Sequence, residues 1–477
     1  MTVLNFKEIK DKIYGCWLGK NIGGTIGTPY EGKTEMQDIS GFASKKGEPL
    51  PNDDLDLQLV WLRALEEVGP WSLNSEVLGE YWLSMITPSW NEYGLSKANM
   101  RRGFVPPISG EIGNRMWKNS NGAWIRSEIW ACLAPGYPGI ARRYAFEDAS
   151  VDHGMSEGTV AELFTATLES EAFVCNDIMN IISRGLEAIP ENSRVAKAVK
   201  LAVECYEKGI DYRQARNMLV DQSADIGFFQ APANLGYVTL GLLYGGGDFK
   251  KSIIYAVNCG DDTDCTGATV GAVLGIIYGA SGIPEDWKEY IGDRIMTICV
   301  NGNFVCLLPK TCSELTERVM KMMPAVFLAN GVDISFGNSE SHWDENRLKK
   351  GVDGKKIMSL APCSVRFSDV FFSGTAEYEK EPVLTDGESM KIHVTLKANH
   401  EPVWVSVDMR LPDGFCAVYP ENVLINPEYT LFPGRLCEFD IVMTAENIRK
   451  SSNTAIMILK GEGRMKNVCV PFVIGSK

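Results

Sequence analysis

The sequence predicts a mainly α chain, with a large all-helical domain followed by a smaller C-terminal β-sandwich. Three observations predict it. Apolar residues recur at helical spacing through the first two thirds of the chain. Apolar–polar alternation replaces that pattern in the last quarter. A chain of 477 residues is also longer than one ordinary core organises, so two domains are expected. The helical domain is assigned to 1–326, a connecting segment rich in Gly, Ser, Asn and Lys to 327–360, and the sandwich to 361–477.

The elements follow in order. Over 6–19, Phe6, Ile9, Ile13, Trp17 and Leu18 lie close to a 3.6-residue period. Over 55–68, Leu55, Leu59, Leu62, Leu65 and Val68 share one face. Further helices are expected over 157–173, 196–207, 236–244, 251–257, 265–278 and 313–322. The most apolar stretch, 269–283, is Gly-rich and short for a membrane span, so it reads as a buried helix. In the sandwich, Met390, Ile392, Val394 and Leu396 face one way and Lys391, His393 and Thr395 the other. Val403, Val405, Val407 and Met409 repeat the alternation, then Phe439, Ile441 and Met443. Turns are expected at Pro412, Asp413 and Gly414 and at Pro433 and Gly434.

Composition narrows the function classes. Hydrophobic residues at 45% and charged residues at 23% are globular values and exclude a disordered or fibrous chain. A net charge of −14 leaves no basic footprint for nucleic acid or an anionic membrane, and neither is expected as a partner. The start lacks a secretory pattern, and thirteen scattered cysteines include no CxxC pair, so a cytoplasmic protein with free thiols is expected. Four histidines are too few for a His-rich metal site. No P-loop, GxSxG elbow or dinucleotide-binding glycine motif occurs.

The carboxylates carry the chemistry. Asp53, Asp54 and Asp56 lie in PNDDLD, and Asp261, Asp262 and Asp264 in NCGDDTDC, each cluster at the start of an expected helix. One Asp there caps the helix and complements its dipole. Three within four positions repel one another, and a bound divalent cation relieves that repulsion through oxygen ligands. A calcium loop fails, because the twelfth position counted from Asp262 is Val273 rather than Glu. Glycine is the third signal: Gly15, Gly19, Gly23 and Gly27 recur every four residues. Bare backbone on one helix face admits another helix or a ligand, at about 1 kcal/mol per glycine relative to Ala. Glu31 closes that run just past Pro29. Eight of the eleven tryptophans fall within the first 130 residues; most are expected in packing, with one or two free to stack on a base.

These segments together resemble the ADP-ribosylglycohydrolase family, which includes the dinitrogenase-reductase-activating glycohydrolases. Gly15, Gly19, Gly23, Gly27, Pro29 and Glu31 match its opening pattern in order. Asn52, Asp53, Asp54 and Leu55 are similar to its (S/T)DDT segment, and Asn121, Gly122 and Arg126 to its GNGxxMR stretch. Gly260, Asp261, Asp262, Thr263, Asp264 and Cys265 resemble its GGDxDT motif.

The resemblance implies two divalent cations, magnesium or manganese, held in an all-α domain. As ligands it implies Asn52, Asp53, Asp54, Asp262, Asp264 and Cys265. It implies catalytic work for Glu31, Asp54 and Asp262, and substrate contacts from Gly122, Arg126 and His153. The implied reaction is hydrolysis of a ribose C1 glycosidic bond in an ADP-ribosylated protein or a related small-molecule glycoside. Four departures mark a divergent branch: Gly24 for Asp, Asn52 for Ser or Thr, Leu55 for Thr, and Cys265 for Thr or Ser. Two alternatives stay open. One is a metal- or metabolite-binding relative without turnover. The other is an all-α diphosphate lyase, suggested by NDDLD.

Overall fold

The computed structural model describes residues 2–425 and 437–476. They form two compact units. One comprises Met1–Gly94 and Asn114–Ser359, the other Leu95–Gly113 and Leu360–Lys477. The second unit therefore includes a segment that the sequence expectation assigned to the helical domain.

In the first unit, helices form where the apolar period is regular and extend beyond it to a polar cap. Phe6–Gly27 begins at Asn5, whose side chain accepts the Glu8 N–H at 3.0 Å, and runs on through the whole glycine stripe. Asp53–Val68 begins at Asn52, whose Oδ1 accepts the Asp54 N–H at 2.7 Å. The third helix that matters is Thr263–Gly282. Gly15, Gly19 and Gly23 face the carbonyls of Gly275, Gly271 and Gly267 in turn, so the two glycine-bearing helices run in opposite directions. A methyl group at Gly19 would collide with the backbone of Gly271. The stripe is thus a contact between two helix backbones. Thr263 Oγ1 donates to the Gly27 carbonyl at 2.8 Å and ties the end of one helix to the start of the other.

Thr263–Gly282 is, among the described residues, the one helix long and apolar enough to cross a membrane; 83% of its apolar window is buried inside this fold. The segment 327–360 packs within the same unit. Its strand Ile334–Gly337 pairs in parallel with Thr2–Asn5, and the Trp343 indole N–H donates to the Pro135 carbonyl at 3.1 Å.

The second unit is a β-sandwich of two five-stranded sheets. One runs Ser364–Ser368, Phe372–Tyr378, Ser389–Ala398, Cys437–Ala445, Phe415–Val418; the other runs Val383–Leu384, Asn467–Ser476, Ser452–Gly461, Val403–Arg410, Asn422–Ile425. Along Val403–Arg410 every second residue is buried, as the period-2 pattern requires. Ile392, Val394, Leu396, Val405, Ile441 and Met457 fill the core, and Phe104, Ile108 and Ile112 join it. Gly414 takes a φ of 80° between Val403–Arg410 and Phe415–Val418, where a turn was expected. The turn expected at Pro433 and Gly434 lies outside the described residues.

Candidate functional site

The helix contact fixes where the acidic residues meet. Past Gly27 the chain turns through Thr28–Tyr30 to Glu31. Two backbone bonds then hold it to the second acidic cluster: Gly32 N–H to the Asp261 carbonyl at 2.9 Å, and Asp261 N–H to the Lys33 carbonyl at 2.7 Å. Gly260, at φ 79°, leaves room for that strap, since a side chain there would strike the carbonyls of Lys33 and Glu35. Carboxyl oxygens of Glu31, Asp262 and Asp264 consequently lie within 4.8 Å of one another. Donor atoms of Asp54, Asp264 and Cys265 do the same, with Asp264 common to both groups. Two clusters about two hundred residues apart in the sequence form one centre.

A cavity of about 550 Å³ opens onto it. Glu31, Asn52, Asp53, Asp262, Asp264, Cys265 and Gly122 line that cavity. Asp54 is buried beside them, 1% exposed, and accepts from the Cys265 thiol at 3.3 Å. Of the tryptophans, Trp90 lines the cavity, together with Tyr93 and Phe229, while Trp82, Trp124 and Trp130 are buried in the core.

Neither reading of the acidic clusters as simple caps survives for the key residue. Asp262 occupies the position before Thr263–Gly282 but makes no capping bond with its side chain. It accepts instead from Asn121 Nδ2 at 2.6 Å. Asp53 accepts from the Tyr93 hydroxyl at 2.9 Å. Asn52, expected as a ligand, uses Oδ1 for its cap and donates through Nδ2 to Asp264 Oδ2 at 3.1 Å. Asp56 and Asp261 serve the scaffold. Asp56 Oδ2 accepts the N–H groups of Ile298 and Cys299, each at 2.6 Å, and Asp261 Oδ1 accepts that of Phe229 at 2.8 Å.

Arg126 and His153 do not line the cavity. Both are fully buried and hold the loop that does. Arg126 donates to the Gly122 carbonyl and pairs with Asp148 and Asp152, each at 2.8 Å. His153 Nε2 lies 3.0 Å from Ser120 Oγ. Gly122 itself stands against Glu92, where any side chain would clash.

Burial outweighs the opposing influences at the acidic cluster, of which Lys20 beside Asp54 is the largest on that residue. Burial raises the carboxyls of Asp54, Asp262 and Asp264 above the usual range, and Asp264 adds to the shifts of Asp54 and Asp262. Asp264, then burial, lifts Glu31 to about 8. Asp264 Oδ1 and Asp54 Oδ2 are buried with no hydrogen-bond partner. Clustered carboxyl oxygens, one of them on Asp264 without any partner, are the donor set a divalent cation satisfies, so Asp54, Asp262, Asp264 and Glu31 fit such ions.

Residues the motifs did not flag complete the site. Lys20 Nζ is buried 3.5 Å from Asp54 Oδ2 and 2.7 Å from Glu128 Oε1. The signal for it was its place on the apolar stripe of Ile13 and Trp17, where a lysine has no access to water. Glu92 lines the cavity, and burial lifts its carboxyl to about 7. No local pattern marked Glu92 or Tyr93.

Comparison with known proteins places this geometry. The ADP-ribosylglycohydrolase family model matches residues 6–319. An uncharacterised protein of Archaeoglobus fulgidus is 23% identical over 341 residues, 66% of this chain and all of that protein. ADP-ribosylarginine hydrolase Tri1 of Pseudomonas putida is 41% identical over a 44-residue stretch, 9% of this chain and 12% of that one. The Serratia proteamaculans protein of the same name is 43% identical over 42 residues, again 9% and 12%. Among solved structures, an ADP-ribosylglycohydrolase-related protein complex is similar at 21% identity and a TM-score of 0.41, over 68% of this chain and 99% of that one. With that model spanning most of the chain and its site motifs gathered at one cavity, the protein belongs to the ADP-ribosylglycohydrolase family.

Proposed function

We propose that the protein is a divalent-metal-dependent hydrolase that cleaves the bond between ribose C1 and its acceptor in an ADP-ribosylated substrate. The observation that carries this reading is the convergence of Glu31, Asp53, Asp262 and Asp264 on one cavity, with Asp54 buried beside them and Asp264 Oδ1 buried without a partner. Magnesium or manganese ions bound there would supply Lewis-acid polarisation of ribose oxygens and of water.

The rest is the chain's own work. Asp54, Asp262 and Asp264 hold the cations, and Asn121 and Tyr93 fix the orientations of Asp262 and Asp53. Glu31 stands at the exposed edge of the cluster, where a carboxylate can pass a proton between water and the leaving group. Trp90 and Phe229 offer ring surface to the sugar or base, with Tyr93 packed behind Trp90. Water contributes its oxygen to C1, and its proton goes to the departing acceptor atom. The short stretches shared with ADP-ribosylarginine hydrolases favour an arginine N-glycoside as the first substrate.

The test is release of free ADP-ribose from ADP-ribosyl-arginine with added magnesium or manganese. Release is expected to stop on chelation and to fall by about 10²–10⁴-fold in Glu31→Gln. Metal binding without release from either N- or O-linked conjugates would leave a metal-binding relative instead.

A further inference from the structure

We propose that the two ligand sets differ in kind: the set closed by Cys265 selects a thiophilic divalent cation such as zinc or cobalt, while the all-oxygen set takes magnesium or manganese. The proposal rests on the metal-dependent reading above and specifies it.

The geometry favours a single ion at the sulfur-bearing set. Cys265 Sγ and carboxyl oxygens of Asp54 and Asp264 lie within 4.8 Å of one another, and Sγ is 3.3 Å from Asp54 Oδ1. Ligands around one tetrahedral ion, with bonds of about 2.0–2.3 Å, stand under about 4 Å apart, so a small side-chain adjustment closes the shell. A second observation points to a ligand independently of the cysteine. Asp264 Oδ1 lacks any hydrogen-bond partner on a residue only 4% exposed, whereas Asp54 Oδ2 has Lys20 Nζ at 3.5 Å. The neighbouring set of Glu31, Asp262 and Asp264 contains oxygen donors alone. Asp264 belongs to both, so its two oxygens can bridge two ions.

Donor chemistry then separates the sets. Thiolate is a soft ligand that zinc and cobalt accept and magnesium does not, whereas three carboxylates form a hard site. Cys265 is buried with its Sγ within hydrogen-bond reach of Asp54 Oδ1. Binding replaces the S–H bond with an S–metal bond and releases one proton to solvent. Magnesium lacks the affinity for sulfur to drive that exchange.

The experiment uses the full chain, stripped with chelator under reducing conditions and titrated with cobalt(II) with and without excess magnesium. A sulfur-to-cobalt charge-transfer band is expected to saturate at one ion per chain, to persist in magnesium and to be displaced by zinc. Cys265→Ser is expected to lose the band and to bind zinc about tenfold or more weakly. Its thermal stabilisation by magnesium should be at least that of the parent, because serine supplies an oxygen donor in place of sulfur. Cobalt binding without a sulfur band, or unchanged zinc affinity in Cys265→Ser, would overturn the proposal while leaving the metal-dependent reading intact. If neither magnesium nor cobalt binds the parent protein, both fall together.

Discussion

The helical unit buries two groups of carboxylates that differ in their cationic partners. Around Arg126, Asp148 and Asp152 are paired with a guanidinium that also lies 5.2 Å from the centre of the Trp82 ring. Burial alone would raise Asp152, but Arg126 and His153 outweigh it and bring the carboxyl down to about 2. Around Asp264 the aspartates are buried too, with Glu31 at the exposed edge, and among the described residues no guanidinium lies with them. Glu31, Asp262 and Asp264 make no ion pair among the described residues, and each carboxyl is pushed up. Asp54 has Lys20, yet Lys20 is shared with Glu128. Arg126 supplies the counter-charge of Asp152 from within the chain, although Asp148 beside it stays raised to about 6; in the reading proposed above, bound cations would supply the counter-charge around Asp264.

The comparison breaks most visibly at Arg126. Arg126→Met leaves Asp148 and Asp152 buried without their partner and is expected to cost about 3–5 kcal/mol by urea unfolding, with no recovery on adding magnesium or manganese. Rescue by either ion would mean that the two groups are not distinct. Next in size is Asn121→Ala, which frees Asp262 from its 2.6 Å bond. Isothermal titration should show affinity for manganese falling by about 10–100-fold with the fold intact. An unchanged affinity would remove Asp262 from the coordinating set.

The pH dependence is the third expectation. Glu31 moves from its ordinary 4.5 up to about 8 in the metal-free protein. A raised carboxyl stabilises the fold below its unfolded pKa and loses that contribution as pH climbs through the folded one. Metal-free stability should therefore decline between about pH 4.5 and 8, and stabilisation by magnesium should grow across the same window. A metal-induced shift in melting temperature that is flat with pH would contradict the assignment of Glu31. The smallest effect separates the groups by sign. Asp262→Asn removes one repelling charge, so metal-free stability should stay within about 1 kcal/mol of the parent or rise. Asp152→Asn removes an attracted charge and should destabilise.

Sequence reading found what local pattern encodes. Phe6–Gly27, Asp53–Val68 and Thr263–Gly282 were visible from period, glycine spacing and acidic starts, and those helices bring Asp54, Asp262 and Asp264 together. It missed Pro138–His153, because Arg142, Asp148, Asp152 and His153 are buried there and spoil the polar–apolar division that marks a helix. Motif matching assigned Arg126 and His153 to substrate contact, whereas both are buried and hold the loop that lines the cavity. Lys20 was hidden for the opposite reason: a lysine reads as solvated until its helix is known to be enclosed. Leu95–Gly113 joins the strands through long-range packing that no local window contains.

The central claim is that external cations neutralise the carboxylates joined by Asp264, and thermal unfolding of the parent and of Asp264→Ala tests it most directly. At a magnesium or manganese concentration about 100 times its dissociation constant, the parent should gain about 2.7 kcal/mol. Asp264→Ala should remain folded without metal and gain nothing with it. Equal metal stabilisation in the two proteins, or none in the parent, would contradict the account.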